Sequence, residues 1–168
     1  MSKWEEIEPT LYRDCHNSLL KVRLPALTNV LQWLKLEDSK TNEAALGQIF
    51  ECVLGTYDFY QDKESKNAAI SILVQLFEID DSFLKKITDF VIVTGSSHSG
   101  GSKAIMDYLN LMEWILVFMD LVFKKHDASF EAHWTDIIQA YIALVGAIET
   151  MLDTHETVKH DENKQNQH

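Results

Sequence analysis

The chain has 168 residues with 46% apolar side chains, which is enough to bury a core and too apolar for wholesale disorder. Its six glycines and two prolines are fewer breaks than a β-rich fold needs, so helices are favoured. A net charge of −11, from 15 Lys plus Arg against 26 Asp plus Glu, excludes DNA and disfavours RNA as the main partner, and suits a basic protein surface.

The start, Met1 to Glu6, is acidic and has no apolar core of the signal-peptide kind. Trp4, Ile7, Leu11 and Cys15 recur at helical spacing, which predicts one face of a short helix with Pro9 tolerated in its first turn. Cys15 and Cys52 are too few for a disulfide framework and lack zinc spacing, so a reduced, cytoplasmic compartment is expected. From about Ser18 to Leu36 a stripe of Leu20, Leu24, Leu27, Leu31 and Leu34 predicts a second helix, in which Pro25 should force a kink or restart.

Glu37 to Asn42 reads as a polar loop ending near a cap. Glu43 to about Tyr60 then carries Leu46, Ile49, Phe50, Val53, Leu54 and Tyr57 on one stripe. Asp62 and Ser65 are candidate caps for a helix bearing Ala69, Ile72, Leu73, Leu76 and Phe77. Asp80-Asp81-Ser82 is a polar break that opens a helix with Phe83, Leu84, Ile87, Phe90 and Val91. Gly95 to Ser102 reads as a flexible loop. Two long helices follow. The first, about Lys103 to Lys125, is apolar on nearly every side and should be the most enclosed element, with Trp114 or Phe118 available to a neighbouring helix. Its Asp107, Asn110, Glu113 and Asp120 make a membrane span costly. The second, about Ser129 to Asp153, carries Phe130, Trp134, Ile137, Ile138, Tyr141, Val145, Ile148 and Leu152. After Thr154 the chain turns polar.

Helices starting near Leu24, Ser65 and Lys103, each with a returning partner, give a period of about 40 residues, within the HEAT and armadillo range. Such pairs stack because neither buries its apolar face alone. A simple helical bundle is the alternative.

Chemistry is hard to place. Cys15 and His16 are adjacent, and adjacent helical side chains diverge by about 100°. A working Cys–His pair normally draws on separate segments. Gly95 and Gly100 have P-loop glycine spacing, but the lysine is displaced and no strand precedes them. His126, Glu131 and His133, or His155 and His160, do not share a helical face suited to a metal. Tyr57, Phe59 and Tyr60 crowd one helix end, and one or two could anchor a partner. Catalytic, cofactor and metal residues are therefore assigned to none. The densest basic pairs, Lys85–Lys86 and Lys124–Lys125, are the candidate partner contacts.

Trp4-Glu5-Glu6-Ile7, Asp62 to Lys66, Ala104 to Ile115 and the closing Lys164 to His168 resemble the extreme amino terminus of the fungal general amino-acid control translational activators. Asp107-Tyr108-Leu109-Asn110-Leu111 followed by Trp114 is the most specific run. The likeness spans essentially the whole chain, with Gly95–Ser102 a local departure. It implies a giant ribosome-associated HEAT-repeat scaffold that supports the initiation factor two alpha kinase during amino-acid starvation or ribosome stalling. It further implies that the kinase and an ATP-binding-cassette partner engage other regions of such a protein, while its amino-terminal portion engages ribosomes, more through ribosomal proteins than rRNA. The family carries no catalytic residues to transfer.

These readings predict an all-α chain of antiparallel helix pairs stacked as a HEAT-like α-solenoid fragment. Residues 1–154 would form the module, about three pairs plus a short N-terminal helix, and 155–168 a flexible polar tail. The chain would be a cytoplasmic, non-catalytic scaffold segment. The alternative is a structural capping module that packs on following repeats without touching the ribosome.

Overall fold

A computed structural model of the chain describes residues 3–54, 62–97, 102–125 and 131–166. Among them there is no strand, and helices follow one another throughout: α1 (Trp4–Ile7), α2 (Leu11–Cys15), α3 (Leu20–Leu34), α4 (Glu43–Leu54), α5 (Lys63–Ile79), α6 (Ser82–Ser97), α7 (Ser102–Lys125) and α8 (Trp134–Gln165). A 3₁₀ turn over Glu8–Thr10 takes Pro9 at its start, so the missing amide costs no bond there.

The caps follow local chemistry. Asn42 accepts the Ala45 amide through Oδ1 at 3.1 Å and opens α4. Asp62 accepts the Ser65 amide through Oδ2 at 2.8 Å and opens α5, as its position predicts. Asp80 accepts the Ser82 amide through Oδ1 at 3.0 Å, turning α5 into α6 across Asp80 and Asp81 alone. Buried Ser39 shares its hydroxyl between the Leu34 and Leu36 carbonyls, at 2.9 and 2.7 Å, and closes the end of α3.

The helices stack in two rows. α3, α5 and α7 lie side by side, and α6 packs most extensively on α8, so the second helices form the facing row. α4 leans on α2 and α5. Trp4 meets Trp33 at 4.9 Å between ring centroids, Phe50 meets Phe83 at 5.6 Å, and Phe77 meets Phe118 edge-on at 6.5 Å, which joins successive layers. This is an all-α, HEAT-like stack of helix pairs.

Trp4, Ile7, Leu11 and Cys15 are all buried, as their spacing predicts. Several details differ from the sequence reading. α3 runs through Pro25 without interruption, because that residue lies on the exposed face and only the exposed turn at Lys21 loses an amide partner. The buried line of α3 is Arg23, Leu27, Val30 and Leu34, while Leu20 is exposed, so the helix is rotated from the leucine stripe. Among the described side chains, α5 buries more than α7. It sits between α3 and α7 and buries Ala69, Ile70, Ile72, Leu73, Val74, Leu76 and Phe77. α7 buries Trp114 and Phe118 completely within the chain, and leaves Leu116, Val117 and Phe123 exposed. α6 continues past Gly95 to Ser97, and α8 continues past Asp153 to Gln165. The aromatic group at 57, 59 and 60 and residues 98–101 of the expected loop lie outside the described residues.

Candidate functional site

The four candidate lysines fall on two helices, and each is already engaged. Lys85 pairs with Asp89 at 3.1 Å one turn along α6, and Lys86 Nζ sits 4.5 Å from the Phe83 ring centroid. Lys124 pairs with Asp120 at 2.7 Å on α7, and Lys125 reaches Glu78 of α5 at 3.7 Å. All four are exposed. Exposed ion pairs of this kind are worth less than about 1 kcal/mol, so a partner carboxylate can displace them at little cost.

Lys125 also borders a groove of about 260 Å³ that crosses the first-helix row. Leu31 and Lys35 of α3, Val74 and Glu78 of α5, and Leu121 of α7 form its walls.

A second constellation lies at the other end. Cys15 of α2 and Cys52 of α4 are buried thiols in hydrogen-bond contact, and neither is in a disulfide. His16 Nε2 lies 2.8 Å from the Cys52 carbonyl oxygen and 3.4 Å from Cys52 Sγ. A carbonyl only accepts, so Nε2 carries the hydrogen and presents it to both oxygen and sulfur. The hydrogen bond from Cys15 holds the Cys52 thiol below its ordinary value, at about 6; burial opposes this and His16 assists it. Cys15 is correspondingly pushed up, by its bond to Cys52 and by burial. The sequence signal for this cluster is faint: His16 works with the cysteine 36 residues away, not with its neighbour. A Cys–His pair from separate segments is what the chemistry asks for, and only the packing of α2 against α4 supplies it.

Arg23 is a buried cation that no sequence pattern announces. Its Nε donates to Ser65 Oγ at 2.9 Å, Nη1 to the Asn17 carbonyl at 2.8 Å, and Nη2 to Asp62 Oδ1 at 2.5 Å. It therefore ties the loop after α2 and the cap of α5 to α3. Burial pushes the Asp62 carboxyl up, and the hydrogen bonds from Ser65 and Arg23 outweigh it, so its pKa lies below the ordinary value.

Among the described residues no group of three His, Cys, Asp or Glu side chains is arranged to hold a metal ion. His133 instead reaches Asp81 at 3.4 Å and tethers the start of α8 to the α5–α6 turn. Residue 126 lies outside the described residues, and His160 is exposed on α8. Among the described residues no helix is long and apolar enough to cross a membrane. α8 carries a second apolar line: Trp134, Ile138, Tyr141, Ile142, Val145 and Leu152 are exposed, while Ile137 is buried.

The family models and the solved structures contain no match to this chain. The eIF-2-alpha kinase activator GCN1 of Saccharomyces cerevisiae (strain ATCC 204508 / S288c) is 32% identical over 170 residues, covering 98% of this chain. The chain is similar to a segment of GCN1. It spans about 6% of the length of that relative. The resemblance carried by the Asp107-to-Trp114 run is thereby borne out, as likeness to one segment of a far longer protein.

Proposed function

We propose that this chain is a non-catalytic scaffold segment of a translational activator that promotes phosphorylation of the initiation factor two alpha subunit. The observation that carries this reading is the match to GCN1 along 98% of the chain. A stack of helix pairs is suited to the role, because it holds a long surface semi-rigid and lets many weak contacts add by avidity.

Within that role the segment contributes to ribosome association, in the cytoplasm, through ribosomal proteins more than rRNA. The −11 net charge disfavours phosphate and favours basic protein. Lys85, Lys86, Lys124 and Lys125 are proposed contact residues, with Lys125 at the rim of the first-helix groove. The kinase and an ATP-binding-cassette partner would engage other parts of the longer protein. The test is ribosome co-sedimentation, and initiation factor phosphorylation on starvation, with this segment deleted from that protein. Reduced co-sedimentation supports the role, and unchanged co-sedimentation removes it.

A second reading is favoured by the exposed apolar line of α8. In it the module packs on further helix pairs of a longer polypeptide and touches no ribosome. Deletion would then lower protein stability while ribosome binding by the remainder persisted.

A further inference from the structure

We propose that the groove across α3, α5 and α7 binds an extended acidic segment of a partner protein, with carboxylates on Lys35 and Lys125 and an aliphatic side chain seated between Leu31 and Leu121. The inference goes beyond the scaffold reading and does not depend on it. The acidic chain as a whole suits basic partners, and this groove takes the opposite charge.

The sign of the groove is local. Its lining carries two cations, Lys35 and Lys125, against one carboxylate, Glu78, in a chain of net charge −11. Lys35 follows α3 and is exposed, and among the described residues its ammonium has no hydrogen bond or ion pair. Lys125 ends α7, and its pair with Glu78 at 3.7 Å is too long for a hydrogen bond, so its donors are uncommitted. Lysines at helix ends also answer the negative helix terminus, which needs no groove. That does not account for what lies between them. Ser71 and Gln75 stand one turn apart on α5 and both line the groove, and among the described residues neither side chain has a hydrogen-bond partner. A hydroxyl and an amide can each donate and accept, which is what the backbone of an extended peptide requires.

The walls set the rest of the occupant. Leu31 of α3 and Leu121 of α7 are half-buried and pack on the core, and both line the groove with buried Val74 of α5. At about 260 Å³ the space falls below the roughly 300–1,000 Å³ of small-molecule sites, so it suits one or two side chains of a polypeptide better than a cofactor. A carboxylate arriving at Lys125 has to compete with Glu78 for it, so Lys35 should be the stronger anchor.

A short fluorescein-labelled peptide in which Leu alternates with Glu and Asp tests this by anisotropy, with the whole chain as receptor at physiological salt. There the Debye length of about 8 Å screens the distant carboxylates of the chain while direct contacts remain. Saturable binding is expected. Lys35→Glu should weaken it by about tenfold or more and Lys125→Glu by less, whereas Lys21→Glu, in the first turn of α3, should leave it unchanged. Replacing Leu by Ser in the peptide should also weaken binding about tenfold, because the apolar walls then stay wet. Amide shifts on titration should centre on Ser71, Gln75 and Leu121. Circular dichroism verifies that each variant is helical. No binding by the wild-type chain, equal effects of all three lysine variants, indifference to the Leu-to-Ser change, or shifts that centre on α8 would each overturn the proposal. Groove amides that shift with chain concentration alone would assign the groove to a second copy and overturn it too.

Discussion

Arg23 shows how a single buried cation can organise several segments and yet be asymmetric in its energetics. Asp62 serves two partners at once, the Ser65 amide and the Arg23 guanidinium. Asp62→Ala removes the cap of α5 and strands a buried charge, so it should cost about 2–3 kcal/mol. Arg23→Met leaves Asp62 half-exposed and still capping, and should cost about 1 kcal/mol or less. Urea unfolding of the two variants checks the order, and equal losses would show that the guanidinium contributes no more than packing. The pH dependence has a definite sign. The Asp62 pKa is depressed in the folded chain, so its contribution is complete above the ordinary carboxylate value of about 3.9 and is lost as pH falls through the folded value. The acid limb of a stability–pH curve should therefore flatten in Asp62→Asn. Residue-level chemistry was only partly legible. The Asp62 cap is a local signal, between residues three positions apart. Arg23 with Asp62 and His16 with Cys52 are 39 and 36 residues apart, and nothing in a one-dimensional pattern links them.

At the scale of elements, Gly47 in α4 and Gly146 in α8 sit at helical positions where an added methyl meets nothing within 4 Å. Neither position uses the conformational freedom of glycine, so its only effect is the entropy of the unfolded chain. Gly47→Ala should raise stability by about 0.5–1 kcal/mol, read as a higher urea midpoint, and a lower midpoint would mean that α4 needs the gap. The far end of α8 makes a different prediction. Positions 160–165 are helical but exposed throughout, so their backbone bonds have little packing to hold them. Amide hydrogen exchange should be fast beyond about residue 154 and slow around Leu73 and Leu76, which are fully buried in α5. Protection at 160–165 as strong as in α5 would contradict this. Helix existence and pairing were legible because apolar residues return every three or four positions. Helix orientation was not. The leucines of α3 suggest one face, but packing on α2 and α5 selects another that includes Arg23, Val30 and Trp33. Likewise α7 reads as the most apolar helix, yet its position at the side of α5 leaves part of that surface outward.

For the whole molecule, the decisive feature is the uneven distribution of apolar surface between its two ends. The α1–α2 end folds Trp4, Ile7, Leu11 and Cys15 inward and closes the stack. The α7–α8 end presents Trp134, Ile138, Ile142, Val145, Phe123 and Val117 to solvent. A helix that buries Ile137 on one side and exposes a second apolar line on another has two faces to satisfy, as an interior layer of a stack does. The isolated chain should therefore self-associate through α8. Sedimentation at rising concentration should show dimers or larger species, and salt should strengthen them, because screening reduces repulsion between chains of net charge −11 while leaving apolar contact intact. Ile142→Glu combined with Val145→Lys should return the chain to monomer without loss of helicity, since both side chains are exposed. A wild-type chain that stays monomeric at high concentration and high salt would show that this face is tolerated by water, and the case for α8 as a layer awaiting a neighbour would fall with it.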